Sequence, residues 1–399
     1  MLGKYPVERV SGGVAVHTIN LIHSLGKIDT ADLDFSIVSY GRDTRVFKDG
    51  NATIRMMKIH MIYYLFPPLS ILRIAHEVRK VKPSVIHVQG SNLTPYLVYA
   101  LFFSPGVKKI ITFHGDELKE KITVGQVRDN SVRFHAYKWL EKTVLTNFDM
   151  VVCVSAYLKR SIISEYGEDL AKKIIVIPNG ADLVNFIPRP KSEERRKLRI
   201  PGDDYVIFHA KSMDVNHGQM QLIRAVSIVK EKIPGIRLIL AGDGPNRQNI
   251  TNLIEELGLA NNVVLLGDIQ NRQIPQYIAS SDIICIPTLS MYGIEEPSCI
   301  FLLEGMAMEK PCIVPESGGF PESVTDYVNG LLIPRVEPDI IAARVLELHD
   351  NPALANELGK NARSYVKKER TWDEVAKKLA EYYHGLAPAR VLAPAKVIE

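Results

Sequence analysis

At 399 residues the chain is long enough for two domains of ordinary size, and 46% hydrophobic with 24% charged residues excludes a wholly disordered protein. The net charge of +4 is unevenly spread: residues 1–185 hold 24 Lys and Arg against 17 Asp and Glu, the remainder 25 against 28, so a basic half precedes a mildly acidic one. Four cysteines show no CxxC pair or metal spacing, no apolar run longer than Leu97 to Phe103 approaches a membrane span, and no basic-then-apolar leader opens the chain; a cytoplasmic protein with core thiols is expected.

Short β-rich runs alternate with helical patterns along the whole chain, the signature of parallel sheets covered by helices on both faces. The first half offers strands at 35–39, 85–88, 109–113, 150–154 and 173–177, with helices at 14–25, 69–81, 131–146 and 156–166. The stretch 187–204, IPRPKSEERRKLRIPGDD, carries three prolines, a charge run and no apolar period, and reads as an interdomain linker. A second series follows, with strands YVIFHA, IRLILA, NVVLL, DIICI and PCIVP and helices near 217–233, 246–258, 300–309, 338–349 and 353–368. Last comes TWDEVAKKLAEYYHGL (371–386), whose Trp372, Val375, Leu379 and Tyr382 recur at helical spacing and need a surface to cover. Two doubly wound domains, 1–186 and 205–370, are the economical description. Ligands in such sheets sit beyond the carboxyl ends of the strands, so a facing pair encloses a cleft.

Several residues carry chemistry in that frame. Gly12 and Gly13 stand before a helix, where a glycine pair lets backbone N–H groups approach an anion; the alternative is an ordinary turn. His17 falls on the first turn of that helix, and a packed surface histidine is its alternative. His114 ends strand 109–113 before Gly115, which aims its ring at the cleft unless it is a hydrogen-bonded rim residue. AGDGP (241–245) is a second glycine-rich turn between strand and helix, short of a dinucleotide fingerprint. Asp243 is isolated, and no clustered Asp, His or Glu set suggests a metal.

The run EEPSCIFLLE (295–304) is the most informative. Glu296 lies in the loop beyond strand DIICI, and the helix is expected to start after Pro297, leaving the amides of Ser298, Cys299 and Ile300 at its tip. Glu304 follows one to two turns in, where a carboxylate can accept two hydroxyls of a vicinal diol. A carboxylate for one polyol, amides for a phosphate and a second carboxylate for another polyol together match a sugar nucleotide.

At this point the chain resembles the retaining glycosyltransferases of family 4, which have the GT-B architecture of two Rossmann-like domains facing across a cleft. The likeness rests on GGVAVH, ITFHG, VIPNGAD (176–182), LILAGDGP (238–245), LLGDI (265–269), Glu296 and Glu304 eight positions apart, KPCIVPESGGFPE (310–322) and the Trp-containing final helix. It implies that residues 371–399 cross back to complete the N-terminal, acceptor-binding domain, while the C-terminal domain binds the donor. It implies further that Gly12 and Gly13 meet the donor diphosphate, that His114 lies near the transferred sugar, and that Glu296 holds hydroxyls of that sugar. The amides at Cys299 and Ile300, beside Ser298, would meet the phosphates and Glu304 the ribose. The implied reaction retains anomeric configuration and needs no metal or other cofactor, the nucleotide-diphosphate sugar being a co-substrate.

Departures from the family pattern fall on the phosphate clamp. Lys211 stands where that family has Arg and keeps the charge without the bidentate fork, and His217 stands where it has Lys and would be cationic only if phosphates raise its proton affinity. Glu296-Pro297-Ser298-Cys299 replaces the usual Glu-Gly-Phe-Gly, and only MLG precedes the KYP that follows the first strand, which is therefore expected to be short. Two alternatives stay open: a catalytically silent homologue acting as a sugar-nucleotide-binding or partner subunit, and an enzyme that isomerises the sugar nucleotide. The acceptor is a glycan, a lipid-linked molecule or a small molecule; nothing points to nucleic acid. KIHMIYYLFPPLSILRIAHEVRK (58–80) joins an aromatic loop to a basic helix that could touch a bilayer, its alternative being a helix with one buried face.

Overall fold

The structure, a computed structural model, describes residues 1–2, 12–28, 33–41, 43–58, 67–90, 94–116, 118, 122, 127–291 and 293–386. The first half runs α1 (Gly13–Leu25), β1 (Ser36–Gly41), β2 (Arg45–Asp49), β3 (Ala52–Lys58), α2 (Pro67–Val81), β4 (Val85–Gln89), α3 (Thr94–Phe102), β5 (Lys108–Phe113), α4 (Val132–Asn147), β6 (Met150–Cys153), α5 (Ala156–Tyr166) and β7 (Ile174–Val176). Strands β4, β5, β6 and β7 pair in parallel in that order, and β1 pairs in parallel with β3. Leu2 joins the two groups, bridging to Val38 of β1 on one side and Val88 of β4 on the other. With Leu2 counted first, the order is that of a doubly wound sheet, and α1 leaves from its switch point.

The second half runs α6 (Lys191–Leu198), β8 (Tyr205–Ala210), α7 (Gln219–Lys230), β9 (Ile236–Ala241), α8 (Arg247–Glu256), β10 (Val263–Gly267), α9 (Ile274–Ser280), β11 (Ile283–Cys285), α10 (Ile300–Ala307), β12 (Cys312–Pro315), β13 (Leu331–Ile333), α11 (Pro338–Asp350), α12 (Pro352–Glu369) and α13 (Trp372–Leu386). Its all-parallel sheet is ordered β10-β9-β8-β11-β12-β13, so the chain reverses direction between β8 and β11. That crevice is where a doubly wound sheet takes its ligand. Near-continuous runs such as Val206, Ile207 and Phe208 form these strands because both faces are covered.

The structure departs from the sequence reading in several places. The hairpin β2–β3, with Gly50 and Asn51 at its turn, is an unpredicted antiparallel edge, and α3, α9 and β13 are likewise additional. The stretch 187–204, read as a linker, contains helix α6, which packs into the second half. Its Arg195 is 4% exposed and pairs with Asp282 at 2.6 Å while donating to the Ser280 carbonyl at 2.9 Å. A charged helix can bury one of its charges when that charge finds partners. In the final helix, Tyr383 is the buried residue and Tyr382 is exposed, so the inward stripe is Trp372, Val375, Ala376, Leu379, Ala380 and Tyr383.

That stripe packs on Leu21 and Leu25 of α1 and on Ile110, Val152 and Ile177, so α13 lies on the first sheet although it follows the second in sequence. The two halves also meet where Glu322, beyond β12, accepts the N–H groups of Ala156 at 2.8 Å and Tyr157 at 2.6 Å at the start of α5. A carboxylate at a helix N-terminus is favoured by both orphan amides and dipole. No described helix is long and apolar enough to cross a membrane. The aromatic loop at 59–66, the KYP segment and residues 387–399 lie outside the described residues; in α2, Leu72 is 63% exposed.

Candidate active site

The carboxyl ends of the two sheets enclose a cavity of about 580 Å³. Gly12, Gly13 and His114 line it from the first half. Lys211, His217, Glu296, Ser298, Cys299, Ile300 and Glu304 line it from the second, so every site residue expected from the sequence meets in one place. The elements explain the convergence: α1 starts at the first switch point, Lys211 directly follows β8, and the 294–299 loop and α10 follow β11.

Gly12, with φ 86°, caps α1 in the left-handed region that glycine tolerates, and its carbonyl accepts the N–H groups of Ala15 and Val16. The Lys211 ammonium and the Glu296 carboxylate form an ion pair inside the cavity. The loop carrying Glu296 is held by the glycine pair after β12. The Gly319 N–H donates to the Glu296 carbonyl at 2.9 Å, the Gly318 N–H donates to Glu295 Oε2 at 2.7 Å, and a Cβ on Gly319 would overlap the Pro297 carbonyl. Gly319→Ala is therefore expected to destabilise the fold by about 1–3 kcal/mol through overpacking. It should also lower kcat/KM at least about tenfold by displacing Glu296. Urea unfolding and steady-state kinetics check both; parent values in each would show that the loop gives way freely.

Helix α10 begins at Ile300 with Cys299 as its cap, not directly after Pro297. The orphan amides at its tip thus belong to the Ile300 turn, and Ser298 precedes the cap, its hydroxyl accepting from Asn179 Nδ2 at 2.9 Å. Glu304 is 5% exposed, and burial, aided by the charge of Asp182, lifts its carboxyl to about 8. His217 Nδ1–H donates to the Ser212 carbonyl at 2.8 Å. Burial, and then the positive charge of Lys211, hold its imidazole down to about 3, so the ring is neutral at pH 7.

His114 is also held neutral, by burial and then by His17 and His87. Its Nε2 and the hydroxyl of Thr288, another cavity residue, have no partner among the described residues, as polar groups awaiting a ligand do. Of two further residues here, the sequence weighs His17 against a surface role and does not single out Asn179. His17 is not a surface histidine; at 3% exposure it lies behind His114, with ring centroids 4.5 Å apart. Asn179, 4% exposed in the VIPNGAD loop, accepts from His17 Nδ1–H at 2.7 Å and lines the cavity. The Asn-Gly pair beyond a strand was the available signal, though it marks turns more often than sites. No three His, Cys, Asp or Glu side chains gather as a metal site among the described residues.

The sequence family described as Glycosyltransferase Family 4 matches residues 11–185, and that described as Glycosyl transferases group 1 matches residues 190–365. Among similar proteins, a GDP-mannose-dependent alpha-(1-6)-phosphatidylinositol monomannoside mannosyltransferase of Mycobacterium tuberculosis is 28% identical over 61% of this chain and 63% of its own length, so the matched segment spans less than two thirds of that relative. An uncharacterised glycosyltransferase of Methanocaldococcus jannaschii is 26% identical over 95% of this chain and 96% of its own. Among solved structures, sucrose-phosphate synthase from Thermosynechococcus elongatus superposes with TM-score 0.79 at 21% identity, covering 96% and 98% of the two chains. Anabaena HepE in complex with UDP-glucose does so with TM-score 0.76 at 19% identity, covering 96% and 99%. With two Rossmann-like sheets facing across one cleft and the paired family matches covering nearly all of both halves, the chain belongs to the GT-B glycosyltransferases of family 4, the glycosyl transferases of group 1.

Proposed function

We propose that this chain transfers a sugar from a nucleotide-diphosphate sugar to an acceptor hydroxyl with retention of anomeric configuration and without a metal. The observation carrying this reading is the single cavity in which a Lys–Glu pair, two helix tips and a buried carboxyl converge. In it, Lys211 and the tips of α1 and α10 offset the charge that grows on the departing diphosphate, an electrostatic term that is large in water-poor sites. A diphosphate beside His217 favours its protonated form and adds a second cation. Glu296 accepts hydroxyls of the transferred sugar, Glu304 accepts the ribose diol, and His114 Nε2 faces the sugar.

The anomeric carbon–oxygen bond breaks as the acceptor oxygen bonds to the same face, and the acceptor's proton passes to the departing phosphate oxygen. Similarity to mannosyltransferases named for GDP-mannose and a phosphatidylinositol monomannoside supports a sugar-nucleotide donor and a glycan or lipid-linked acceptor. The test is purified protein with UDP-, GDP- and ADP-sugars, with and without EDTA. One donor is expected to yield an NMR-defined retained anomer at an undiminished rate in EDTA. Loss of transfer in EDTA, inversion, or no product with any donor would overturn the corresponding part of the proposal.

A further inference from the structure

Asn179 belongs to the loop after β7, His17 to α1 and Ser298 to the approach to α10, so one carboxamide touches both walls of the cleft. Its Nδ2 donates to Ser298 Oγ at 2.9 Å, which leaves Oδ1 as the acceptor for His17 at 2.7 Å. A neutral His17 that donates from Nδ1 has a bare lone pair on Nε2, and that atom is buried with no partner among the described residues. The imidazole has little freedom otherwise: it stands edge-on to His114 and to Trp372, with ring centroids 4.5 and 5.1 Å away. The loop is fixed in turn, because Ala181 N–H donates to the Arg370 carbonyl at 2.8 Å and Gly180 lies so close that a Cβ would come within 2.6 Å of the Trp372 nitrogen. Docking of the final helix on the first half thus completes the wall behind His114.

We infer that Asn179 is a positioning residue: it locks His17 in the Nδ1–H tautomer, seats His114 through the His17 ring, and ties that pair to the donor-phosphate loop through Ser298. The kinetic part rests on the transferase reading; the tautomer does not. Asn179→Asp, an isosteric change, keeps an acceptor for His17 but loses the donor to Ser298 and places a negative charge beside the imidazole. Burial holds His17 down to about 4 in the parent, and the new carboxylate acts against that.

The experiment uses the full chain labelled with ¹⁵N-histidine, with His17 assigned by its loss in His17→Gln. The parent should show the Nδ1–H pattern, Asn179→Ala should lose it and shift the His114 signals, and Asn179→Asp should keep it with a raised His17 titration. In kinetics, Asn179→Ala should lower kcat about tenfold, the equivalent of one buried hydrogen bond, with donor KM within about twofold. Asn179→Asp should recover part of kcat while the acid limb of its pH profile moves upward. An Nε2–H tautomer in the parent, or an unchanged tautomer and His114 signal in Asn179→Ala, would overturn the inference. If no donor is turned over, the transferase reading falls while the spectra still decide the role of Asn179.

Discussion

Glu296→Gln and Lys211→Met are each expected to lower kcat about 10²- to 10³-fold, the loss typical of one preorganised charge removed from a transition-state site. Both side chains are mostly enclosed, 17% and 13% exposed, and each is the other's ion partner in the cavity. Removing either leaves the survivor charged and short of its partner, so the single losses contain a penalty that the double variant lacks. The combined Glu296→Gln/Lys211→Met protein should therefore be no worse than the poorer single one. Steady-state kinetics on the four proteins measure the cycle. Two fully additive losses would show that the residues act apart, and single variants within about twofold of the parent would remove the pair from the reaction.

What the sequence made legible follows periodicity and order. Runs such as IRLILA and KIITF name their strands because both faces of a covered parallel sheet are apolar, and the Glu296/Glu304 spacing finds the cleft because it lies beyond a strand in a doubly wound sheet. Helix α6 escapes the same reading because KSEERRKL has no apolar stripe; Arg195 can be buried because Asp282, 87 positions away, and the Ser280 carbonyl meet it. Tyr382 and Tyr383 differ by one position on the helix, and only the surface that α13 covers decides which faces inward. Helix α10 starts at Ile300, after the extended cap Cys299, and not at Pro297, which lies beside the loop that the Gly318 and Gly319 N–H groups hold at Glu295 and Glu296. Charge state is the least legible property: in sequence His217 could be read only as a cation conditional on phosphates, and it is burial that holds its imidazole down to about 3. Asn179 matters through partners more than a hundred positions away, at His17 and Ser298, which no local pattern encodes.

Glu304→Gln is expected to stabilise the ligand-free protein at pH 8 and to weaken nucleotide binding. Burial raises the Glu304 carboxyl from 4.5 to about 8, so between those values the folded chain holds a proton that the unfolded chain has released. Stability from this group is complete at low pH and declines as pH rises through that window by up to about 1.4 kcal/mol per unit, levelling off above the folded value. Glutamine, of the same shape but unable to ionise, removes the decline, so the variant-minus-parent stability should grow from pH 4.5 to about 8 and then stay constant. Taking the difference cancels every other titrating group that the two proteins share. In the proposed donor pose nucleotide binding reverses the preference, because ribose hydroxyls donating to Glu304 would favour its ionised form. Relative to Glu304→Gln, the parent's affinity for the nucleoside diphosphate should therefore rise toward pH 8 and its binding below that pH should release up to one more proton per molecule, any uptake at His217 being common to both proteins. Urea unfolding across pH and calorimetric titration in buffers of different ionisation enthalpy provide the two readouts. A constant stability difference would show that the carboxyl is ionised in the empty cleft, and nucleotide affinity unchanged by Glu304→Gln would place the ribose elsewhere.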